Sequence, residues 1–168
     1  MKILIFSDIH YDLVNVKAAL DANKNAEYAL FLGDGLDMLE RVSMNYPTVG
    51  FISVKGNCDI GLYEYPTEKT VKIAGIKIFM CHGHRLAIKN GFSTLINAAS
   101  KEDAEIILFG HTHKPFKEEI VLPNGKKAVL FNPGSIGEPR GGSDSSYGVL
   151  EITEKDGGST FSIQNATV

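Results

Sequence analysis

The five histidines of this 168-residue chain fall into three short groups, Asp8-Ile9-His10, His82-Gly83-His84 and His111-Thr112-His113, each placed where a hydrophobic run stops. No histidine is spent elsewhere, and imidazoles grouped with carboxylates are common ligands of divalent transition metals. Two further runs end in groups of the same kind. Gly33-Asp34 follows Ala29-Leu30-Phe31-Leu32, and Gly56-Asn57-Cys58-Asp59 follows Phe51-Ile52-Ser53-Val54-Lys55. Five strand ends therefore offer nitrogen and oxygen ligands. Carboxylates, imidazoles and one amide, without a thiolate pair, suit Mn, Fe, Ni, Co or Zn in a catalytic site with open positions better than a structural cysteine site.

Such a site needs strands whose carboxyl ends share one edge, because ligand sites of open α/β sheets form in the loops there. The N-terminal part supplies them by alternating strand and helix. Lys2 to Phe6 reads as a buried strand, and Asp12 is placed to cap a helix whose apolar positions Leu13, Val16, Ala19 and Leu20 recur at helical spacing, ending near Asn23. Tyr28 to Leu32 is the next strand, Leu36 to Met44 the next helix, stopped by Tyr46-Pro47, and Val49 to Val54 the third strand. Apolar runs joined by helices predict parallel strands covered on both faces.

The remainder is richer in hairpins. Thr70 to Ile73 and Lys77 to Met80 flank Ala74-Gly75-Ile76, and the second arm runs straight into Cys81-His82-Gly83-His84. A helix is expected over Ser93 to Ser100, with Phe92, Leu95 and Ile96 as core positions, and Ile106 to Phe109 is a buried strand leading into Gly110-His111-Thr112-His113. Lys117 to Leu122 and Lys126 to Phe131 close around Asn124-Gly125, and Tyr147 to Ile152 with Ser159 to Gln164 close around Lys155-Asp156-Gly157-Gly158. The expected fold class is α/β, a four-layer α/β/β/α sandwich of two mixed β-sheets face to face with helices outside. One sheet is expected to be mostly parallel and the other rich in hairpins, with the metal site at the C-terminal strand edge.

The length fits one domain over residues 1–168, and 43% hydrophobic against 22% charged residues is an ordinary globular balance without repeats or linkers. A net charge of -3 supplies no extended basic surface for nucleic acid or anionic lipid, but it is compatible with a small anionic substrate. Apolar runs such as Ile106-Ile107-Leu108-Phe109 have strand length, far short of the ~20 residues needed to cross a bilayer. The chain opens on a strand rather than a secretory leader, so a cytoplasmic protein is expected, with Cys58 and Cys81 as free thiols.

The order of the motifs is more specific than their composition. D-x-H after the first strand, G-D after the second, G-N-x-D after the third, then H-G-H and G-H-x-H resembles the calcineurin-like metallophosphoesterase superfamily. The short chain, Gly56-Asn57-Cys58-Asp59, Gly110-His111-Thr112-His113 and Asn132-Pro133-Gly134-Ser135 followed by Pro139-Arg140 are similar to its small single-domain phosphodiesterase branch, to which the small retromer subunit is related in fold. The resemblance implies one metal held by Asp8, His10 and His113, another by Asn57, His82 and His111, and Asp34 bridging them. The implied cofactors are two divalent transition metal ions, manganese first, with Ni, Fe, Co or Zn as substitutes. The implied reaction is hydrolysis of a small phosphodiester by a hydroxide bridging two metals ~3.5–4 Å apart.

Many relatives carry histidine where this chain has Cys58, and that histidine is thought to protonate the leaving group. A thiol donates a proton weakly, which favours diesters over monoesters and makes His84 the alternative general acid. Asp59 is expected to accept a bond from a ligand histidine, and Asp34 could also cap the helix that follows it. Cys81 reads as a core residue. Ser135 is open between a site role and a structural one, and Arg140 either clamps a phosphate oxygen or pairs with Glu138. The competing reading is a non-catalytic metal-binding scaffold or protein-interaction module on the same fold, against which stands the complete histidine set. Exposed hairpins and the helix near Phe92 could support a homodimer or homotetramer, and no membrane partner is expected.

Overall fold

Alternation along the first strand divides the interior of the protein, whose computed structural model describes residues 1–168. In β1 (Lys2–Phe6), Ile3 and Ile5 enter one apolar cluster, Leu4 and Phe6 enter another, and all four are fully buried. The first cluster lies between two sheets. The second lies beneath α1 (Leu13–Ala22) and α2 (Leu36–Ser43), against the outer face of β1 and β2 (Tyr28–Phe31). A third cluster packs Leu95 and Ala99 of α3 (Ser93–Lys101) on Phe79, Ile107 and Phe109. Phe92 joins it through ring contacts with Phe109 and Phe116, so Phe92, Leu95 and Ile96 are core positions as expected. Three apolar layers between four layers of secondary structure give the α/β/β/α sandwich.

The remaining strands are β3 (Gly50–Ser53), β4 (Glu68–Ile73), β5 (Ile76–Cys81), β6 (Ile106–Leu108), β7 (Pro115–Val121), β8 (Lys127–Pro133), β9 (Ser146–Lys155) and β10 (Gly158–Thr167). One sheet has the order β10-β9-β1-β2-β3 and the other β4-β5-β6-β8-β7. In the first, β1, β2 and β3 are parallel, with Ile5 opposite Leu30 and Leu30 opposite Ile52. In the second, β5, β6 and β8 are parallel, with Phe79 opposite Ile107 and Ile107 opposite Leu130.

The expected division into one mostly parallel sheet and one hairpin sheet is therefore corrected, because each sheet combines a parallel trio with antiparallel strands. The last hairpin crosses to the first sheet, where β9 runs antiparallel to β1 with Leu150 opposite Ile3. β1 is apolar and buried, so its second edge needs a hydrogen-bonding partner, and β9 provides it. Gly148 permits the close fit, since a Cβ there would stand 2.7 Å from the Phe131 ring and 3.0 Å from Ile5 Cβ.

Two parallel trios have a consequence for chemistry. The chain leaves the carboxyl ends of β1, β2 and β3 at Asp8, Asp34 and Asn57, and those of β5, β6 and β8 at His82, His111 and Ser135. Cross-contacts bring the two sets together: His82 reaches Asn57, and His113 reaches Asp8. No helix of the structure is long and apolar enough to cross a membrane.

The helix caps set these loops. Asp12 caps α1 as expected, accepting from the Asn15 amide at 3.0 Å. Asp34 does not cap α2. That task falls to Asp59, which is nearly buried and accepts from the amides of Asp34, Gly35, Leu36 and Gly56 at 2.8, 2.8, 2.9 and 2.8 Å. The expectation that Asp59 supports a ligand histidine is thus corrected: four amides at a helix N-terminus and an adjacent loop use up its acceptor capacity. One carboxylate ties the loop after β2 to the loop after β3. Asp59→Ala is expected to lower stability by about 3 kcal/mol in equilibrium urea unfolding, because four inward amides lose a charged acceptor. A loss below ~1 kcal/mol would show that water replaces it fully.

Candidate metal centre

Asp8, His10, Asp34, His111 and His113 all have left-handed backbone conformations, with φ of 54°, 50°, 63°, 64° and 60°. For a non-glycine residue this costs on the order of 1–2 kcal/mol, and Asp and His are among the types that tolerate it best. Five such residues at one sheet edge indicate loops held open by their surroundings for what their side chains do. Backbone bonds between the loops do the holding: Asp8 N–H donates to Gly33 O at 3.0 Å, His10 N–H to Asp34 O at 3.1 Å and Gly110 N–H to His82 O at 3.1 Å. Gly110 and Gly56 mark the tightest passages. A Cβ on Gly110 would overlap Ser7 Oγ, and one on Gly56 would overlap the Asp34 carboxylate.

All seven residues expected as ligands gather here, in two groups. In the first, Asp8, His10 and His113 each bring a ligand atom within 4.8 Å of the others. His113 Nδ1 lies 2.6 Å from the Glu138 carbonyl, to which it donates, so Nε2 turns inward to 3.1 Å from Asp8 Oδ1. His10 stacks beside it, with ring centroids 5.2 Å apart. In the second, His82 Nδ1 donates to the Leu32 carbonyl at 2.8 Å. Its Nε2 then faces Asn57 Oδ1 at 3.2 Å, His111 Nδ1 at 3.2 Å and Asp34 Oδ2 at 3.3 Å. Asp8, Asp34 and His82 also bring ligand atoms within 4.8 Å of one another, so Asp8 belongs to both groups.

The donor chemistry fits cations. An imidazole that donates through Nδ1 presents a lone pair at Nε2, and at His82 that lone pair meets two oxygen acceptors, Asn57 Oδ1 and Asp34 Oδ2. Asp8 Oδ1 and His10 Nε2 are buried without any hydrogen-bond partner. Converging acceptors with no hydrogen between them repel unless protons or metal ions intervene.

Without metal, protons take that part. Burial disfavours charge on His82 and His113, but Asp34 and Asp8 beside His82, and Asp8 beside His113, outweigh it and raise both imidazoles above their usual value. Burial likewise opposes ionisation of Asp8 and Asp34, yet the neighbouring His113 and His82 hold both carboxyls below the usual range. Burial and the charge on His82 push His111 down to about 4.

The site is supported by hydrogen bonds that pair small polar side chains with the loop backbones and with Asp8. Ser7 Oγ donates to Asp8 Oδ2 at 2.5 Å and the His111 amide donates to the same oxygen at 3.1 Å. Ser135, fully buried, donates to Asp8 O at 2.8 Å and accepts from the Glu138 amide at 2.7 Å, so its role is to position the Asp8 loop. Asn132 Nδ2 spans Gly110 O at 2.9 Å and Thr112 Oγ1 at 3.1 Å, bracing the loop of His111 and His113. The Asn132-Pro133-Gly134-Ser135 motif was the sequence signal for both. Glu138 carries its carboxylate 3.7 Å from His10 Nε2, while Arg140 is exposed and forms no ion pair with it.

His84 sits at the rim, half-buried, with its ring 5.4 Å from His82 and 6.3 Å from His111, and its Nδ1 has no partner. Cys58 is exposed, and its amide donates to Asp34 Oδ1 at 2.7 Å. Partial burial and the Asp34 carboxylate push its thiol up to about 11. Cys81 is buried in the core, as expected.

Comparison with known proteins fits this geometry. Phosphodiesterase YfcE of Escherichia coli strain K12 is 29% identical over 90% of this chain and 88% of its own length. The probable metallophosphoesterase YsnB of Bacillus subtilis is 31% identical over 90% of this chain and 85% of its own. Vacuolar Protein Sorting 29 from Cryptosporidium parvum superposes with a TM-score of 0.70 over 99% of this chain and 98% of that one, and at 20% identity it shares the fold. The family described as the calcineurin-like phosphoesterase superfamily domain matches residues 1–155, a span that contains every loop meeting at this edge. By that match, the chain belongs to the calcineurin-like phosphoesterase superfamily.

Proposed function

We propose that the chain is a metal-dependent phosphodiesterase with a dinuclear centre, acting as one metallophosphoesterase domain over residues 1–168. The observation that carries the reading is the convergence of acceptor atoms around His82 Nε2 and the partnerless Asp8 Oδ1 and His10 Nε2. Asp8, His10 and His113 would hold one ion, and Asn57, His82 and His111 the other. Asp34, whose Oδ2 lies 3.3 Å from His82 Nε2 and whose Oδ1 is held by the Cys58 amide, would serve both, with Asp8 also near each group. Two divalent ions, manganese first and Ni, Fe, Co or Zn as substitutes, lower the pKa of a shared water and hold phosphoryl oxygens when bound.

The protein's own groups complete the chemistry. The Leu32 and Glu138 carbonyls fix the tautomers of His82 and His113, and Ser7 and the His111 amide fix Asp8, so the ligands need little reorganisation. Arg140, without a carboxylate partner and next to His113, is free to attract an anionic ester. Cys58, held at about 11, keeps its proton and is a poor donor to a leaving alkoxide. His84 lies beside His82 and His111 at the rim and is assigned the proton transfer to the leaving group. A weak acid system suits diesters with acidic leaving groups rather than monoesters. The likeness to Vacuolar Protein Sorting 29 concerns fold, and the higher sequence identity to a phosphodiesterase and a probable metallophosphoesterase favours catalysis over a scaffold role.

Purified protein supplied with Mn²⁺ is expected to hydrolyse bis(p-nitrophenyl) phosphate, with Asp34→Asn lowering kcat/KM by about 100-fold or more, beyond the usual cost of losing a supporting residue. Absence of turnover with every divalent transition metal, in folded protein, would overturn the assignment. His84→Gln should slow an alkyl leaving group by about 100-fold and p-nitrophenolate far less, read as a steeper dependence of kcat on leaving-group acidity.

Stability should also depend on pH. His82 and His113, raised above 6.5, stabilise the metal-free fold below that value, and this contribution is lost as pH rises through their folded-state values. His111, lowered to about 4, acts only below 6.5, where falling pH removes stability. The metal-free protein should therefore lose Tm as pH increases above 6.5, and saturating Mn²⁺ should flatten that slope while binding releases protons. Calorimetry in buffers of different ionisation enthalpy checks the proton release.

A further inference from the structure

A groove of about 360 Å³ opens beside the candidate metal centre, bordered by His10, Asp34, Cys58, Tyr11, Ile60 and Asp37 and not by His84. Two of its walls are unusual. Tyr11 is 84% exposed and Ile60 88% exposed, the residues immediately after a proposed ligand and after the Asp59 anchor. Single exposed apolar side chains need no explanation, but two bordering one groove that also contains metal-ligand candidates form a recognition surface. Neither sits on loose chain. The Tyr11 turn is closed by Asp12 N–H to Ile9 O at 3.0 Å and Leu13 N–H to Tyr11 O at 3.2 Å. The Ile60 loop is tied by Ile60 N–H to Cys58 O at 3.0 Å, and Lys55 Nζ donates to Leu62 O at 3.2 Å beyond it.

Resting on the phosphodiesterase reading, we propose that this groove binds the ester arm that stays on phosphorus, and that it selects an uncharged aromatic arm through Tyr11 and Ile60. A diester has two arms. His84 stands against His82 and His111 and does not border the groove, so a leaving oxygen directed to His84 leaves the second arm to the side of His10, Asp34 and Cys58. There a phenol ring and a branched aliphatic chain offer faces to a planar ring. Exposed Asp37 disfavours an anionic arm and accepts a hydrogen bond from an arm carrying an N–H or O–H. The exposed Cys58 adds a soft, polarisable sulfur to the same wall. A monoester has no second arm and leaves the groove empty, which deepens the preference for diesters.

Two substrates sharing one leaving group test this: p-nitrophenyl phenyl phosphate and p-nitrophenyl methyl phosphate, assayed with the Mn²⁺-loaded protein. The expected ratio of their kcat/KM values is about tenfold in favour of the phenyl arm, the scale of one stacking contact. Tyr11→Ala and Ile60→Ser should each bring that ratio toward one, and Tyr11→Phe should keep it. A wild-type ratio near one, or variants that lower both substrates equally, overturns the proposal. Binding can be read without turnover, because the chain has no tryptophan and Tyr11→Trp supplies a single reporter. Its emission should be quenched saturably by bis(p-nitrophenyl) phosphate and remain unmoved by dimethyl phosphate. Quenching without hydrolysis would uphold the groove and overturn the catalytic reading, whereas hydrolysis without quenching would do the reverse.

Discussion

Acceptors pointing at acceptors are the constraint on which the site turns. With Nδ1 of His82 and His113 donating to the Leu32 and Glu138 carbonyls, both imidazoles must present Nε2 inward, toward Asp34, Asn57 and Asp8. Repulsion at this spacing is relieved only by positive charge, supplied by protons in the metal-free chain and by metal ions when they are bound. The raised imidazoles and lowered carboxyls of the metal-free state show the same field from both sides. A cluster that already holds its imidazoles fixed loses little entropy when it exchanges protons for metal.

That arrangement stores unfavourable energy, and the surrounding structure has to offset it. Five ligand candidates in left-handed conformations cost several kcal/mol together by the usual scale for non-glycine residues. The compensation is found in two places. Apolar layers on both faces of each sheet fix the strand ends, and Asp59 binds two loops through four amides at once. Ser135 and Asn132 do the same for the loops of Asp8 and His111. Rigid strand ends and side chain-to-backbone bonds can impose a geometry that the loops alone would not adopt.

The elements were legible because their periods are clean: period two in the strands, Val16, Ala19 and Leu20 on the inner side of α1, and Asn124-Gly125 at a turn. The destination of the last hairpin was not legible. Leu150 and Ile152 would be buried against either sheet, and what places them beside β1 is the unpaired edge of that strand and the room left by Gly148, both tertiary facts. The residues that gather at the strand ends were readable from residue types and motif order. The orienting groups were not, because the Leu32 and Glu138 carbonyls belong to the backbone and leave no mark in the side-chain code. Asp59 was misassigned for a related reason: a carboxylate serving amides looks, in a sequence, like one serving a histidine.

The two rims of the site differ in kind, and the difference bears on how such a centre distinguishes esters. On one side His84 leans on the imidazoles of His82 and His111, within a polar and titratable surface. On the other, Tyr11 and Ile60 present apolar faces beside a thiol that keeps its proton. Metal ions bind any phosphoryl group through its oxygens, so a bare dinuclear centre has little means of telling one ester from another. Discrimination must come from contacts to the rest of the molecule, and on the proposed phosphodiesterase reading a thiol at position 58 would shift the balance from proton donation to shape and apolar contact. An ester with an acidic leaving group needs less help from an acid and gains more from a second arm held in place. The residues that hold that arm, rather than the ligands, are therefore where relatives with the same metal set can diverge in substrate.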